Sequence, residues 1–321
     1  MKNYKTILVV AGEPNSVFLE IFFKSIKKIK IKNPLILVGS YKLVKLQMKK
    51  LNFKKKIKIL DQNNLMSYRL DNNSINLINI KYETNKAFEK ISFKSNNYIK
   101  KCFETAFEII KRYKIKKFIN GPINKSTFLN KKYLGITEYI SDKFNLKTNA
   151  MLIYNKKLSV CPITTHLPIK LVSQKIKRKN ISDKVFLINN FYLKKFGFKP
   201  KIAILGLNPH CESIQKYNED DKIIKPTIKY LESKFHVSGP HSADTVFLKN
   251  NRKNFDVIIG MYHDQVLTPL KTLYEYDAIN ITLGLPFDRI SPDHGPNKKM
   301  LGRNISNPLS LIRAIQFLER N

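Results

Sequence analysis

Residues 255–295 read FDVIIGMYHDQVLTPLKTLYEYDAINITLGLPFDRISPDHG, and this stretch decides the fold. Its two apolar runs, FDVIIGMY and AINITLGL, each predict a buried β-strand. His263 and Asp264 follow the first run, and Arg289 follows the second. A His–Asp pair loses hydration when it is buried and therefore stabilises a core poorly. Because open α/β sheets hold ligands at the carboxyl ends of their strands, the stretch predicts a ligand site in an α/β fold.

The rest of the chain alternates strands and helices in the manner of a doubly wound parallel sheet. The runs ILVVA and PLILVGS predict strands, and apolar spacing over residues 16–29 predicts the helix between them. A second apolar helix, over residues 309–318, closes the chain and can pack back on the first domain. We expect a first domain made of residues 1–134 and 300–321, and a second domain made of residues 135–299.

The composition indicates a chain with a large core and no membrane segment. It has 321 residues, of which 43% are hydrophobic, and no apolar run approaches the roughly 20 residues that cross a bilayer. ILVVA is too short for the core of a signal peptide, so we expect a cytoplasmic protein. Cys102, Cys161 and Cys211 are too widely spaced for a disulfide framework or a cysteine zinc site, which predicts buried, reduced thiols.

The formal net charge of +35 raises the question of a nucleic-acid partner. Only eight of the 59 basic residues are Arg, the residue that best recognises phosphates and guanine edges, and the Lys residues are spread along the whole chain. The sequence is also rich in Asn and Ile, so a compositional bias accounts for the Lys content. We therefore expect no nucleic-acid partner, although the positive field would attract anionic substrates or cofactors.

Three of the six histidines occupy equivalent positions in the sequence. His166, His210 and His263 end the apolar runs LSVCPITTH, KIAILGLNPH and FDVIIGMYH, so a parallel sheet would place all three at one edge. Three neutral imidazoles with an open fourth position form a catalytic divalent-metal site. Asp244 and Asp264 are candidates to hydrogen-bond the imidazoles and fix their tautomers. The alternative is three unrelated histidines, each satisfied locally.

The usual nucleotide-binding fingerprints are absent from the sequence. It contains neither G-x-G-x-x-G nor G-x-x-x-x-G-K-[ST], so a nicotinamide cofactor would bind through other loops. The candidates are Gly12–Glu13 and Asp293–His294. His294 is alternatively a further metal ligand or a loop stabiliser. The candidates to bind a phosphate group are Lys271, Arg289 and Lys125.

Several blocks of sequence together resemble one enzyme family. They are GEP at 12–14, GPINK at 121–125, ITEY at 136–139, TTHLPI at 164–169, GLNPH at 206–210, SGPHSADTVF at 238–247, YHDQVLTPLK at 262–271 and NITLGLPFDRISPDHG at 280–295. In this order they are similar to the 4-hydroxythreonine-4-phosphate dehydrogenase family (PdxA type) of vitamin B6 biosynthesis. The resemblance covers almost the whole chain.

This resemblance implies a fold and a reaction. The fold is two α/β/α domains with a cleft between them, like isocitrate and isopropylmalate dehydrogenases, in a homodimer with a shared active site. The reaction is the NAD-dependent (or NADP-dependent) oxidation of 4-phosphohydroxy-L-threonine to 2-amino-3-oxo-4-phosphooxybutyrate. This product then decarboxylates to 3-amino-2-oxopropyl phosphate. The implied partners are a small phosphorylated substrate and a second copy of the chain, with no nucleic acid and no membrane.

The resemblance also assigns roles to individual residues. One divalent metal per site (Zn, Mg or Co) would be held by the three histidines already noted, contributed across the dimer interface. The implied substrate contacts are Thr137, Lys271, Asn280 and Arg289. Asp244, Asp264 or a water between them would accept the proton while hydride passes to the nicotinamide.

The sequence departs from the family pattern in three places. Ile136 stands where the family has a histidine, residues 15–19 replace a glycine-rich stretch, and residues 296–299 replace a stretch that begins with Thr and continues with small residues. These changes are consistent with a divergent member that keeps the family reaction. The alternatives are a metal-dependent paralogue that oxidises another small hydroxy acid or diol, and a basic binding protein that has lost catalysis.

Overall fold

The computed structural model describes residues 5–129, 133, 135–215, 217–292 and 295–320. These residues form twelve strands. In chain order they are β1 (Ile7–Val10), β2 (Leu35–Gly39), β3 (Ile57–Ile59), β4 (Ile75–Asn79), β5 (Lys117–Asn120), β6 (Ala150–Tyr154), β7 (Ser159–Thr164), β8 (Ile202–Leu205), β9 (Val237–His241), β10 (Val257–Tyr262), β11 (Ile279–Leu283) and β12 (Asp288–Pro292).

Twelve α-helices connect or follow these strands in the described part of the chain. They are α1 (Phe18–Lys28), α2 (Tyr41–Lys50), α3 (Asn96–Tyr113), α4 (Lys125–Phe128), α5 (Ile136–Lys143), α6 (Val172–Lys175), α7 (Arg178–Phe196), α8 (Lys225–Glu232), α9 (Ala243–Val246), α10 (Lys249–Arg252), α11 (His263–Tyr274) and α12 (Leu309–Glu319). None of the helices in the described ranges has the length and apolar character needed to cross a membrane.

The chain divides into two compact units. The first contains Met1–Ile136 and Pro286–Asn321, and the second contains Thr137–Leu285. The sequence-based boundary at residue 299 is therefore wrong, because residues 286–299 belong to the first unit. The physical reason is that β12 pairs in parallel with β5, so this segment completes the sheet of the first unit.

The sheet of the first unit is parallel throughout, with strand order β3-β4-β2-β1-β5-β12. All four residues of β1 are buried, as the unbroken run ILVV predicts for a strand covered on both faces. Helix α1 buries Phe18, Ile21 and Phe22, which follow the 3.6-residue period of its sequence. Helix α12 packs against α1 and β12, which confirms that the closing helix returns to the first unit.

The sheet of the second unit is mixed, with strand order β11-β6-β7-β10-β8-β9. Strands β7, β10, β8 and β9 are parallel neighbours, whereas β6 runs antiparallel to β7 and to β11. Its core includes Val160, Leu205, Ile258 and Val266, drawn from three of the parallel strands and from α11. The parallel group places the carboxyl ends of four strands at one edge.

All three cysteines are buried and free, as the sequence predicted. Burial raises the pKa of the Cys102 thiol to about 12 and that of Cys161 to about 11, because the thiolate would lose its hydration. Burial also raises the pKa of Cys211, and hydrogen bonding to Ser242 partly offsets that effect. These thiols therefore stay protonated near neutral pH.

Candidate active site

Three histidines follow neighbouring parallel strands of the second unit. His166 comes two residues after the end of β7, and His263 is the first residue of α11, directly after β10. His210 lies in the short 3-10 turn Pro209–Cys211 that follows β8. Because β7, β10 and β8 are adjacent and parallel, the three histidines emerge at the same edge of the sheet. This confirms the placement predicted from the strand ends.

Two of these imidazoles are close neighbours within one chain. The ring centroids of His166 and His263 are 5.6 Å apart, with an angle of 39° between the ring planes. The hydroxyl of Thr164 donates a hydrogen bond to the backbone oxygen of Met261 at 2.8 Å, which joins the ends of β7 and β10. The two strand ends are therefore held together at the point where the imidazoles emerge.

Each of two imidazoles has a carboxylate partner. Nδ1 of His263 lies 2.6 Å from Oδ1 of Asp264, and Nδ1 of His210 lies 3.9 Å from Oδ2 of Asp244. A carboxylate at Nδ1 favours the tautomer with its proton there, which leaves Nε2 with a lone pair for a metal ion. The His210 and Asp244 side chains are 74% and 58% exposed, so this pair is open to solvent.

Within the described residues of a single chain, no three His, Cys, Asp or Glu side chains lie close enough together to hold a metal ion. The donor set still suits a divalent metal, because a carboxylate lies at hydrogen-bond distance from Nδ1 of His263. Within the described residues of one chain, His166 and His263 are neighbours but do not belong to a group of three side chains that could hold a metal ion. The three-histidine site stays a prediction.

The segment that carries Thr137 lies next to the end of β7. Thr137 is buried in the first turn of α5, and Ile136 begins this helix. The hydroxyl of Thr165 donates a hydrogen bond to Oε1 of Glu138 at 3.3 Å, and Thr165 directly precedes His166. The predicted substrate contact at Thr137 and the predicted ligand His166 therefore belong to connected segments of the second unit.

Lys271 and Asn280 also lie in the second unit. Lys271 is in the last turn of α11, and Asn280 is the second residue of β11. The Oδ1 atom of Asn280 is buried and accepts no hydrogen bond from any described residue. Buried amide oxygens are nearly always hydrogen-bonded, so this atom is a candidate acceptor for a ligand N–H or O–H group.

Arg289, which follows the apolar run AINITLGL in the sequence, is the second residue of β12. The strand was missed because two prolines and two charged residues in PFDRISP obscure a short parallel strand. Arg289 is fully buried in the first unit, and its Nε donates a hydrogen bond to Oδ1 of Asn120 at 2.7 Å. Contact with a phosphate would require this side chain to become accessible.

Gly12 and Glu13, the proposed cofactor contacts, form a buried turn after β1. Gly12 has φ +75°, and a Cβ atom there would collide with the carbonyl oxygen of Pro122. The Glu13 carboxylate accepts hydrogen bonds from the Asn15 amide at 3.1 Å and the Ser95 hydroxyl at 3.2 Å. Burial raises the pKa of Glu13, and these two hydrogen bonds partly offset the effect. Both carboxylate oxygens therefore have partners within the protein.

Two other predicted contacts lie outside the described residues, Asp293 and His294. The side chain of Lys125, a candidate for phosphate binding, is likewise not described.

His241 occupies a fourth strand end that the sequence did not indicate. It ends β9, whose sequence VSGPH contains the turn-forming pair Gly-Pro and so does not look like a strand. Its Nε2 lies 2.9 Å from the Ser238 hydroxyl, and its ring is 5.1 Å from that of Phe255. Burial lowers the pKa of His241, so this imidazole favours its neutral form. The one sequence feature that indicated a strand here was the buried apolar residue Val237, which follows the end of α8.

The fold and the strand-end groups are typical of an α/β enzyme that binds its ligands at the carboxyl ends of parallel strands. The chain belongs to the family described as pyridoxal phosphate biosynthetic protein PdxA, whose model matches residues 30–318. A relative from Sulfurihydrogenibium sp., named 4-hydroxythreonine-4-phosphate dehydrogenase, is 37% identical over 97% of this chain and 96% of its own length. A relative from Salmonella typhimurium, named D-threonate 4-phosphate dehydrogenase, is 29% identical over 91% of each chain.

Solved structures support the same assignment. The crystal structure of 4-hydroxythreonine-4-phosphate dehydrogenase from Klebsiella pneumoniae matches with a TM-score of 0.82 and 25% identity, over 98% of each chain. Isocitrate dehydrogenase from Methylococcus capsulatus matches with a TM-score of 0.50 and 11% identity, over 98% of this chain and 85% of that one. The predicted α/β fold class is confirmed. The chain is an oxidoreductase of the dehydrogenase class that acts on a CH–OH group.

Proposed function

We propose that this protein oxidises the secondary alcohol of 4-phosphohydroxy-L-threonine in pyridoxine phosphate biosynthesis, with NAD or NADP as the hydride acceptor. The product, 2-amino-3-oxo-4-phosphooxybutyrate, loses carbon dioxide to give 3-amino-2-oxopropyl phosphate. The observation that carries the proposal is the set of imidazole–carboxylate pairs at adjacent strand ends in a chain of this family. Such pairs are the usual way in which proteins orient histidine ligands of catalytic metals.

His166, His210 and His263 would hold one divalent metal, which can be Zn, Mg or Co. When bound, the metal supplies Lewis-acid polarisation of the substrate hydroxyl, and the nicotinamide supplies the site for hydride. The histidines must stay neutral to serve as ligands, so a carboxylate at Nδ1 that fixes the tautomer favours binding. The proposal assigns this orienting role to Asp264, because its oxygen lies 2.6 Å from Nδ1 of His263.

Asp244 is the stronger candidate for the general base. Its nearest oxygen is 3.9 Å from Nδ1 of His210, beyond hydrogen-bond distance, so this oxygen can accept a proton from a substrate or a water. Asp264, in contrast, already uses Oδ1 to hold His263. We therefore propose that Asp244 receives the proton of the secondary alcohol, either directly or through one water.

The substrate would be held through Thr137, Lys271 and Asn280. Lys271 supplies a positive charge for the phosphate, and Thr137 offers a hydroxyl from the segment beside His166. Oδ1 of Asn280, which lacks a donor among the described residues, can accept a hydrogen bond from a substrate N–H or O–H group. Arg289 would donate hydrogen bonds to the phosphate only if its side chain, which is fully buried, became accessible.

We also propose a homodimer with a shared active site. The support is that one described chain brings His166 and His263 together but completes no three-residue metal group. A two-fold dimer would supply the missing ligand to each site reciprocally, since the same surface is used by both subunits.

A second candidate substrate is D-threonate 4-phosphate. It is favoured by the relative from Salmonella typhimurium that carries this name and by Ile136, which stands where the resemblance expects a histidine. An aliphatic side chain cannot pair with a polar substrate atom, and leaving a buried polar atom unpaired costs about 1–3 kcal/mol. Loss of this contact would weaken selection for one substrate over the other.

The test is formation of NADH at 340 nm with each of the two phosphorylated acids, with and without a chelator. We expect turnover of 4-phosphohydroxy-L-threonine with the higher kcat/KM, and loss of turnover when the divalent metal is removed. Absence of NADH with any metal would refute the dehydrogenase proposal. Turnover that resists the chelator would refute the metal role alone, and a higher kcat/KM for D-threonate 4-phosphate would select the second substrate.

A further inference from the structure

The loop that carries His210 has a backbone conformation that is unfavourable for its residues. His210 and Cys211 have φ values of +53° and +61°, in the left-handed region that residues with a Cβ atom rarely adopt. Two consecutive non-glycine residues in this region persist only where surrounding contacts determine the conformation. The contacts that determine it therefore also determine where the His210 imidazole lies.

Asp220 supplies the first set of these contacts. Its Oδ1 accepts a hydrogen bond from the Leu207 amide at 2.9 Å. Its Oδ2 accepts one from the Asn208 amide at 3.0 Å and another from the Asn208 side chain at 2.8 Å. The Asp220 side chain is completely buried, and a buried carboxyl group is costly unless donors surround it. Three N–H donors from one loop meet that requirement.

Asp220 is presented by an unusual piece of helix. It begins the π-helical turn Asp220–Ile224, which continues directly into α8. Turns of this kind are rare and frequently occur at functional sites, where they redirect a side chain. Here the redirected side chain is a carboxylate that points at the loop following β8.

Gln265 supplies the second set of contacts and joins the loop to a neighbouring strand. Its Nε2 donates a hydrogen bond to the backbone oxygen of Gly206 at 2.8 Å, and its Oε1 accepts one from the Met261 amide at 2.6 Å. Met261 lies in β10, two residues before His263. One side chain thus connects the start of the His210 loop with the strand end that carries His263.

Two glycines provide the space that these side chains need. A Cβ atom at Gly206 would lie 2.7 Å from Oδ1 of Asp220 and 2.7 Å from Sγ of Cys211. A Cβ atom at Gly260 would lie 2.9 Å from Oε1 of Gln265 and 2.5 Å from Cγ1 of Val266. All four distances are shorter than real Cβ contacts, so the arrangement depends on glycine at both positions.

We infer that Asp220 and Gln265 are positioning residues that fix the His210 imidazole relative to the strand end carrying His263. We call Gly206, Asp220, Gln265 and the hydrogen bonds that they make the strand-end network. The consequence for metal binding rests on the proposed function, in which His210 and His263 are ligands. The network itself is a property of the second unit alone. Neither residue contacts the substrate in this account, and both act through His210.

The test uses Asp220→Asn and Gln265→Leu, with Asp221→Asn as the matched control. Asparagine at position 220 would place an NH2 group opposite the N–H donors of Asn208. Leucine at position 265 removes the hydrogen bonds to Gly206 and Met261 with little change in side-chain volume. Asp221 lies in the same helical turn, but its carboxylate pairs with Lys225 at 2.6 Å and with Asn218 at 2.8 Å. Circular dichroism establishes that each variant is folded.

Two readouts do not depend on metal or activity. Hydrogen exchange of the Asn208 amide should accelerate about fivefold in Asp220→Asn, because this amide loses a hydrogen bond worth on the order of 1 kcal/mol. The His210 imidazole resonance, assigned with a His210→Gln variant of histidine-labelled protein, should shift or broaden in both test variants. Neither change is expected in Asp221→Asn.

The third readout is calorimetric titration of the metal-free protein with Zn²⁺. Loss of a residue that orients a metal-binding side chain typically weakens metal binding about 10- to 100-fold. We expect this loss for both test variants but not for the control. Unchanged loop exchange and an unchanged His210 resonance in both folded test variants would overturn the inference. Absence of Zn²⁺ binding by the wild-type protein would instead contradict the proposed metal site, and the two metal-free readouts decide the inference in either case.

Discussion

At the scale of single residues, the two imidazole–carboxylate pairs are unequal, and this difference separates two roles. The 2.6 Å distance between His263 and Asp264 is that of a strong hydrogen bond, whereas the 3.9 Å distance between His210 and Asp244 is not a hydrogen bond. A carboxylate that is already bonded to an imidazole orients it. A carboxylate that stands apart from its imidazole keeps an oxygen for proton transfer.

The first prediction follows from these unequal distances. Asp244→Asn should lower kcat by about 10²–10⁴-fold with little change in metal content, because it removes a general base. Asp264→Asn should weaken metal binding about 10- to 100-fold and recover part of its activity at high metal concentration. Steady-state kinetics across a metal titration measures both effects. The reverse pattern would exchange the two roles.

The second prediction concerns Glu13, whose pKa burial raises above its ordinary value of 4.5. The native state then keeps a proton that the unfolded state has already lost, so the unfolded state binds fewer protons. Stability consequently falls as the pH rises from about 4.5 through the raised native pKa. Glu13→Gln cannot ionise, so its free energy of unfolding should increase relative to wild type over this window. Urea unfolding at several pH values tests this, and a constant difference between the two proteins would contradict it.

At the scale of elements, long apolar runs were predictable and short irregular strands were not. The runs ILVV and VIIGMY form β1 and β10 as expected, because unbroken apolar sequence suits strands buried on both faces. Strands β9 and β12 were missed, since each contains proline and polar residues and is defined by its pairing with a neighbour. The apolar pattern of a short segment does not show which distant strand the segment pairs with.

The same limit applies to the candidate site. The strand-end rule located the three histidines, because it needs only the order of residues along each strand. It did not predict the contacts of Asp220 and Gln265. Asp220 accepts hydrogen bonds from Leu207 and Asn208 through a π-helical turn, and Gln265 donates to Gly206, 59 residues away in sequence.

The third prediction compares two glycines in turns. Gly12 and Gly197 have similar φ values, +75° and +78°, but only Gly12 has backbone atoms where a Cβ would lie. Gly197→Ala should therefore cost only the left-handed conformation, about 1–2 kcal/mol. Gly12→Ala should cost clearly more, because the turn after β1 must also move away from Pro122. Thermal and chemical unfolding of both variants measures the difference, and equal losses would show that the close approach to Pro122 adds nothing.

At the scale of the whole molecule, the net charge and the metal-ligand set support different inferences. The net charge of +35 supports attraction of an anionic substrate, but the charge does not determine which residues bind it. The imidazoles say more about the location of a site. His166 and His263 are neighbours within one chain, but the described residues of that chain contain no group of three metal-binding side chains. If the proposed site is shared between two copies of the chain, the contacts that complete it lie beyond what the sequence of one copy can predict.

The last prediction tests this shared site by mixing two inactive variants, His166→Ala and His210→Ala. If these two ligands of each metal come from different subunits, a mixed dimer has one site with both substitutions and one site with none. Unfolding and refolding an equal mixture should then restore about a quarter of wild-type activity, since half of the dimers are mixed and each has one intact site of two. Each variant refolded alone should remain inactive. If both ligands came from the same chain, no mixed dimer would contain an intact site, and the mixture would stay as inactive as its components.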